Sequence, residues 1–557
     1  MMSKGKKKNS RTDIKVLKPK FLPDPGPVLK RKAIEDRWYG NFAVKYFGYT
    51  FLLTMVVLAV FLRFHDISAQ DVWCDEANSV IIAELNPSGI ITRMSNDASP
   101  PLYYLLLHSW MYAFGKTELA LRSLSVLFGV MLIIALYFIG KRMFSEKVGL
   151  YAALIASAAP IHIMYSQQIR MYTLLSLMSL LSMYYLMRFI REKKISFLPG
   201  YGIFTVLSLY THNYGLFLLP AQALLVLFFV RRRQMILWWF FSVVCIGAAY
   251  SIWVPSLFGQ VSAVPKTGWR DYFWSHYGFG GSLFMSMASF SPGGPQLPYV
   301  PLNAMRSMPL LPVLVMLLLL IASLIPLFNK KDDQLKTGIG WLAVYCFIPL
   351  IFAGILSYLR SNIYLPGRTD QLVFPAFCLL AAVGIQQLRP FFLRYAAVVL
   401  IMVFSVLTLY DYYRIDLKQG NRMIAQTIKE RLAPGDAILC TSLTRGFLEY
   451  YLREETPSLH LNFYSYPPTK SRSIGGENVA GLLKNPQKLD EQAKRLFSEI
   501  KSHSSSGRCF IVYVPNEVNK FLDAPFRTNV PADQITNIGR FKQSLFKIPA
   551  YIMLVHF

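Results

Sequence analysis

Long apolar runs separated by short polar connectors fill most of this chain. Eleven of them predict membrane-spanning helices: 47–62, 119–140, 148–165, 171–190, 198–211, 214–230, 236–257, 308–328, 338–358, 372–387 and 395–413. A further apolar run, Pro101–Phe114, opens on a double proline and is short. Beyond residue 414 the pattern changes. Asn421–Leu432 reads as an amphipathic helix, Pro434-Gly-Asp introduces a strand at Ala437–Thr441, and another strand follows at Arg508–Val514. That alternation predicts a small α/β domain over 414–557.

Basic clusters orient the spans. They fall at 1–45, Lys141-Arg142 with Lys147, Arg188–Lys194, Arg231–Arg233, Asn329–Lys336 and Arg389–Arg394. If all are cytoplasmic, an even number of spans separates each neighbouring pair. Every interval after residue 141 contains two. The first contains three apolar runs, so Pro101–Phe114 is expected as a juxtamembrane or re-entrant helix on the outer side. The expectation is a polytopic α-helical membrane protein of 11 spans in the plasma membrane, amino terminus inside and C-terminal domain outside.

Composition agrees. The chain has 557 residues, of which 54% are hydrophobic and 16% charged, with mean hydropathy +0.36. This is too apolar for a soluble globular protein. The net charge of +27 sits mostly beside spans, which explains it without nucleic acid. Residues 1–46 hold 13 Lys/Arg against 4 Asp/Glu and read as a disordered cytoplasmic tail able to touch anionic membrane lipids. No cysteine pair has metal-site spacing. Cys245, Cys346 and Cys378 are expected as small core residues, and a Cys440–Cys509 disulfide stays open. The Gly278–Gly281 run lacks a strand–helix context and reads as a turn.

Candidate chemistry gathers in the outward connectors. The stretch Asp71-Val-Trp-Cys-Asp-Glu-Ala-Asn-Ser79 follows the first span, and Asn96-Asp-Ala-Ser-Pro-Pro comes next. A carboxylate pair beside lipid is costly to leave unpartnered. The other outward connectors are Tyr165–Tyr172, Tyr210–Gly215, the long 258–307 segment, and Leu359–Gln371 with Arg360 and Arg368. A transporter would place ionisable groups near the bilayer midplane. Groups at the outer boundary, with a soluble domain on the same side, favour an enzyme.

Five motifs in order, Trp73-Cys-Asp-Glu-Ala, Asp97-Ala-Ser-Pro-Pro-Leu-Tyr-Tyr, Glu118-Leu-Ala-Leu-Arg122, Tyr165-Ser-Gln-Gln-Ile-Arg-Met-Tyr and Tyr210-Thr-His-Asn-Tyr, resemble the family 39 glycosyltransferases. These are bacterial relatives of the dolichyl-phosphate-mannose protein mannosyltransferases and have the GT-C fold. Pro366-Gly-Arg-Thr-Asp stands where that family more often has Arg-Tyr. The resemblance implies a polyprenyl-phosphate-linked sugar donor, a lipid, protein or glycan acceptor outside the cytoplasm, and inversion at the anomeric carbon. It makes Asp75 the general base, with Glu76 beside it as a catalytic or orienting carboxylate.

A lipid phosphate is already a good leaving group, so it needs positive charge rather than a second acid. Arg170 and Arg368 are the candidates, with interfacial snorkelling as the alternative for each. Asp97 is expected to bind sugar or a cation, or to cap the helix after Pro100. Arg122 is a substrate ligand, or an anchor paired to Asp75, Glu76 or Glu118. His212 and Tyr165 complete the substrate-binding candidates. No cofactor is implied with certainty, and a divalent cation stays open. The competing class is a transporter or flippase of lipid-linked sugars.

Overall fold

The computed structural model describes residues 48–97, 99–263, 269–293, 310–328, 333–359, 363–414, 420–441, 444–455, 461–467, 483, 485–515, 519–542 and 549–557. The basic tail 1–46, Arg360 and residues 294–307 lie outside the described residues. The chain divides into two compact units, Met1–Phe51 and Leu52–Phe557. Of the first, residues 48–51 are described and are helical. The second holds the helical bundle, the candidate site and the C-terminal α/β region.

All eleven predicted spans fall on helices over their described residues. Among the described residues, seven helices are long and apolar enough to cross a membrane, and an eighth if the bent pair Glu146–Ala158 and Pro160–Ser166 counts as one span. The remaining three, Gly48–Phe64, Ile195–Thr211 and Asn213–Phe229, are shorter apolar helices. Pro101–Phe114 forms the helix Leu102–Phe114, whose first residues carry no side-chain cap. Close packing relies on small residues, as it does wherever lipid supplies no hydrophobic drive between helices. At Gly384 an added Cβ would lie 2.0 Å from the Leu319 carbonyl oxygen.

The bend at Ala159 has a physical cause. Pro160 has no N–H and cannot continue the ladder, so carbonyls at the end of helix Glu146–Ala158 need other donors. Arg63, fully buried, supplies them. Its guanidinium donates to the carbonyls of Ala156 (3.1 Å) and Ser157 (3.0 Å), to Ser166 Oγ (3.1 Å) and to His162 Nδ1 (2.9 Å). Arg63→Met should leave two buried carbonyls unpaired, at about 1–3 kcal/mol each. We expect a melting temperature lowered by several degrees in detergent, with Arg63→Lys restoring part of the loss. An unchanged melt would show that the break does not depend on Arg63.

Two parts of the long 258–307 connector are helical, Val254–Ala263 and Trp269–Phe290. The glycine run expected as a turn is instead a kink at Gly278 (φ 57°), after which the helix resumes. The acidic stretch after the first span also contains two helices, Cys74–Ala83 and Pro87–Ser95.

The C-terminal region carries one five-stranded sheet in the order β2-β1-β3-β5-β4. The strands are β1 Ala437–Thr441, β2 Asn462–Tyr466, β3 Arg508–Tyr513, β4 Ile535–Lys542 and β5 Pro549–His556. β1 lies parallel between β2 and β3, and β5 and β4 are antiparallel additions. β1 is buried along its whole length, as a strand covered on both faces must be. Ile438, Cys440, Phe510 and Val512 join the core that continues into Ala77 and Val80 of helix Cys74–Ala83. Ala437, Leu439, Cys509 and Ile511 pack with Leu489, Ala493 and Ile500 of helix Pro486–His503. Cys440 and Cys509 therefore point to opposite faces, and both are free thiols. Cys346 and Cys378 are core residues as expected, but Cys245 is exposed on helix Arg233–Ser251.

Candidate active site

Asp75 and Glu76 occupy the first turn of helix Cys74–Ala83, where the helix dipole favours carboxylates. Neighbours on a helix point about 100° apart, and these two meet different partners. Glu76 is fully buried. Its Oε1 accepts from Arg122 Nε (3.1 Å) and from the Ile169 N–H (3.0 Å), and its Oε2 accepts from Arg122 Nη2 (3.3 Å). Arg122 also donates to the carbonyls of Ile67 (2.5 Å) and Gln70 (3.0 Å) and reaches Glu118 (3.5 Å). This buried pair ties three elements together: the connector after the first span, helix Glu118–Met143, and the turn at 167–171. With both oxygens committed, Glu76 is placed to hold the scaffold, and Arg122 to anchor it.

Asp75 faces the other way, with a side chain 29% exposed. Its Oδ2 lies 2.5 Å from Arg368 Nη2. Burial alone would raise the Asp75 carboxyl, but the charges of Arg368 and Arg170 outweigh it and hold the group below its ordinary value. Arg368 also donates through Nε to the Tyr172 hydroxyl (2.5 Å) and lies over the rings of Trp73 (5.9 Å) and Tyr172 (5.8 Å).

Arg170 completes the cluster. Its Nη1 donates to Ser79 Oγ (3.2 Å) and to the Asp75 carbonyl (3.3 Å), and its Nε has no hydrogen-bond partner. Among the described residues its hydrogen-bond acceptors are thus neutral, although the residue is buried. Its counter-charge is the Asp75 carboxylate, felt through space and shared with Arg368.

The turn that carries Arg368 is built by its neighbours. Gly367 has φ +76°, a conformation natural for glycine. Asp370 Oδ2 accepts the Gly367 N–H (2.8 Å), and Tyr165 donates its hydroxyl to the Gly367 carbonyl (2.7 Å). Tyr165 therefore acts here through the Arg368 turn, and its ring lies 4.6 Å from that of Tyr172. His212 Nδ1 accepts the Tyr214 N–H (3.1 Å), and its ring sits 6.2 Å from Tyr172, at the edge of the cluster.

Asp97 lies in the turn after helix Pro87–Ser95 and is half-buried. Its charge is felt at Tyr104, whose hydroxyl is pushed up to about 12, first by burial, with Arg170 opposing and Asp97 and Asp75 adding. Among the described residues no group of three or more His, Cys, Asp and Glu side chains could hold a metal ion.

The structure thus brings Asp75, Arg170 and Arg368 together from three separate connectors, with Tyr172 between the arginines. Sequence reasoning missed Ser79, Asp370 and Tyr104. Ser79 had a signal, since it stands four residues after Asp75 on one helical face. Asp370 had a weaker one in Gly-x-x-Asp, a spacing at which a carboxylate can close a turn.

Residues 98–258 match the family model described as dolichyl-phosphate-mannose-protein mannosyltransferase. Among solved structures, apo ArnT from Cupriavidus metallidurans superposes with TM-score 0.57 at 13% identity, covering 90% of this chain and 98% of that one. The alignment thus spans nearly the whole length of that chain. The chain has the GT-C fold. ArnT bound to undecaprenyl phosphate gives TM-score 0.53 at 13% identity over 90% of this chain and 97% of its own. The GT-C protein AglB from Archaeoglobus fulgidus, an archaeal oligosaccharyltransferase in complex with an inhibitory peptide and a dolichol-phosphate, gives 0.51 at 11% identity, covering 84% of this chain and 69% of that one. A comparison with curated proteins returns no match. The match to the protein mannosyltransferase family model is confined to residues 98–258, less than a third of the chain.

Proposed function

We propose that this protein transfers a sugar from a polyprenyl-phosphate carrier to an acceptor hydroxyl on the extracytoplasmic side of the plasma membrane. The observation that carries the reading is the cluster itself: one partly exposed carboxylate flanked by two arginines, one of which has only neutral acceptors. The Glu76–Arg122 pair neutralises itself, so Asp75 with Arg170 and Arg368 carries a net positive charge. A phosphodiester-type donor brings the missing negative charge. GT-C structures that hold undecaprenyl phosphate and dolichol-phosphate support the carrier class.

The proposed roles follow from the geometry. Asp75 takes the proton of the acceptor hydroxyl as that oxygen attacks the anomeric carbon. The bond from that carbon to the phosphate oxygen breaks, and the phosphate leaves with the electron pair. Arg170 and Arg368 meet the charge that develops on it. A single displacement from the face opposite the phosphate inverts the anomeric centre. A carboxylate clamped by Arg368 is a weak base. A donor phosphate that draws Arg368 towards itself restores base strength at the moment the donor is in place. Asp97 and His212, at the margin of the cluster, are assigned to the sugar.

The test is transfer in detergent, where no second compartment exists. The purified protein is offered undecaprenyl-phosphate mannose, or the pentose analogue, with an envelope extract as acceptor. Release of undecaprenyl phosphate coupled to labelled acceptor is the expected result. Lipid movement across reconstituted vesicles, without turnover in detergent, would support the transporter reading and overturn this one.

A further inference from the structure

We infer that the C-terminal α/β domain is a positioning element for Asp75, acting through a clamp on Asp71 and Val72. The inference rests on Asp75 being the base.

Val72 lies three residues before Asp75 and is fully buried. Its N–H donates to the Tyr451 hydroxyl (2.8 Å), and its carbonyl accepts from Asn421 Nδ2 (3.2 Å). Both backbone groups of this residue are thus satisfied by side chains of the C-terminal domain. Next to it, Asp71 serves as a cap supplied from outside. Helix Asn421–Lys429 starts after Gly420 with no side-chain cap of its own, and Asp71 Oδ2 accepts the Arg422 N–H (3.1 Å).

The clamp extends to the scaffold pair. Arg422 Nη2 donates to Glu118 Oε1 (2.8 Å), and Glu118 is also reached by Arg122, the partner of Glu76. Helix Thr444–Glu455, which carries Tyr451 and Gly446, packs directly on helix Cys74–Ala83. A Cβ at Gly446 would sit 3.2 Å from Asn78 Oδ1 and 3.4 Å from the Cys74 carbonyl and Sγ. The domain therefore holds both the entry to the Asp75 helix and one side of its first turn.

The two arginines touch this helix, through Ser79, the Asp75 carbonyl and the Asp75 carboxylate, but their backbones also have holds outside it. Arg170 is on the turn at 167–171, fixed by Glu76 and by the Ser125 hydroxyl, which donates to its carbonyl (3.1 Å). Arg368 is on the turn organised by Asp370 and Tyr165. Loosening the clamp should consequently move the base more than the phosphate ligands. A misplacement of the order of 1 Å costs roughly 10²-fold in a positioned reaction.

The experiment measures kcat and donor KM in detergent with undecaprenyl-phosphate mannose. The variants are Tyr451→Phe, Asn421→Ala and their double. Leu489→Ala, in the sheet's other core face, serves as a control of comparable domain destabilisation. The expected result is kcat lowered about tenfold or more in the double variant, donor KM within about twofold, and Leu489→Ala near wild type. Wild-type kcat in the folded double variant would overturn the inference, as would an equal loss in Leu489→Ala. Should the double variant fail to fold, Asn421→Ser alone must show the same split, and its absence is equally fatal. Asp75→Asn run alongside separates the two readings. If it turns over normally, the base assignment fails. If it is inactive while the clamp variants are not, only the positioning inference fails.

Discussion

Asp75→Asn should lower turnover by roughly 10²–10⁴-fold, the usual cost of losing a general base. The substitution keeps the shape of the side chain and still offers an oxygen to Arg368. It removes the charge that accepts the acceptor's proton. Donor binding should be unchanged or tighter, because a neutral amide releases Arg368, now paired with Asp75 at 2.5 Å, to the donor's phosphate. The measurement is single-turnover transfer at saturating donor, so that chemistry and not product release is observed. Near-normal rates there would remove Asp75 from the mechanism.

Arg170→Ala and Arg368→Ala should each cost about 10- to 100-fold in turnover, as expected for losing a charge-assisted hydrogen bond worth about 1.5–3 kcal/mol. Lysine should rescue only partly at both positions, because a point charge replaces a planar fork. The two variants differ in their effect on pH dependence. In the wild type, Arg368 and Arg170 hold the Asp75 carboxyl below its ordinary value. The base must be ionised to act, so the acid limb of kcat/KM lies below the ordinary carboxylate range. Removing Arg368 takes away the largest opposing charge and the direct hydrogen bond, and the limb should move to higher pH. Arg368→Lys keeps the charge and should move it less. A limb that stays in place in Arg368→Ala would mean that the group it reports is not Asp75.

Much of the fold was legible because span length and basic connectors are strong signals in a lipid solvent. The helices fall where hydropathy puts them, and β1 matches the expected Ala437–Thr441. The helices Cys74–Ala83 and Trp269–Phe290 were hidden by polar or glycine-containing sequence whose partners lie far along the chain. Asp75, Arg170 and Arg368 were legible as candidates, but their convergence was not, since it depends on how three connectors meet. The commitment of Glu76 to Arg122 and Ile169, and the hold of Asp370 on Gly367, are contacts between or within connectors that spacing alone does not reveal. The clamp from Asn421, Arg422 and Tyr451 was not legible either, because it crosses about 350 residues of sequence to reach Asp71 and Val72.

The central claim is that Arg170 and Arg368 form the seat of a lipid phosphate. Equilibrium binding of undecaprenyl phosphate and of undecaprenol, compared in wild type and in the Arg170→Ala/Arg368→Ala double variant, tests it most directly. The account predicts that the wild type prefers the phosphate lipid by about tenfold or more, and that this preference vanishes in the double variant while both lipids still bind weakly. An undiminished preference in a folded double variant would contradict it.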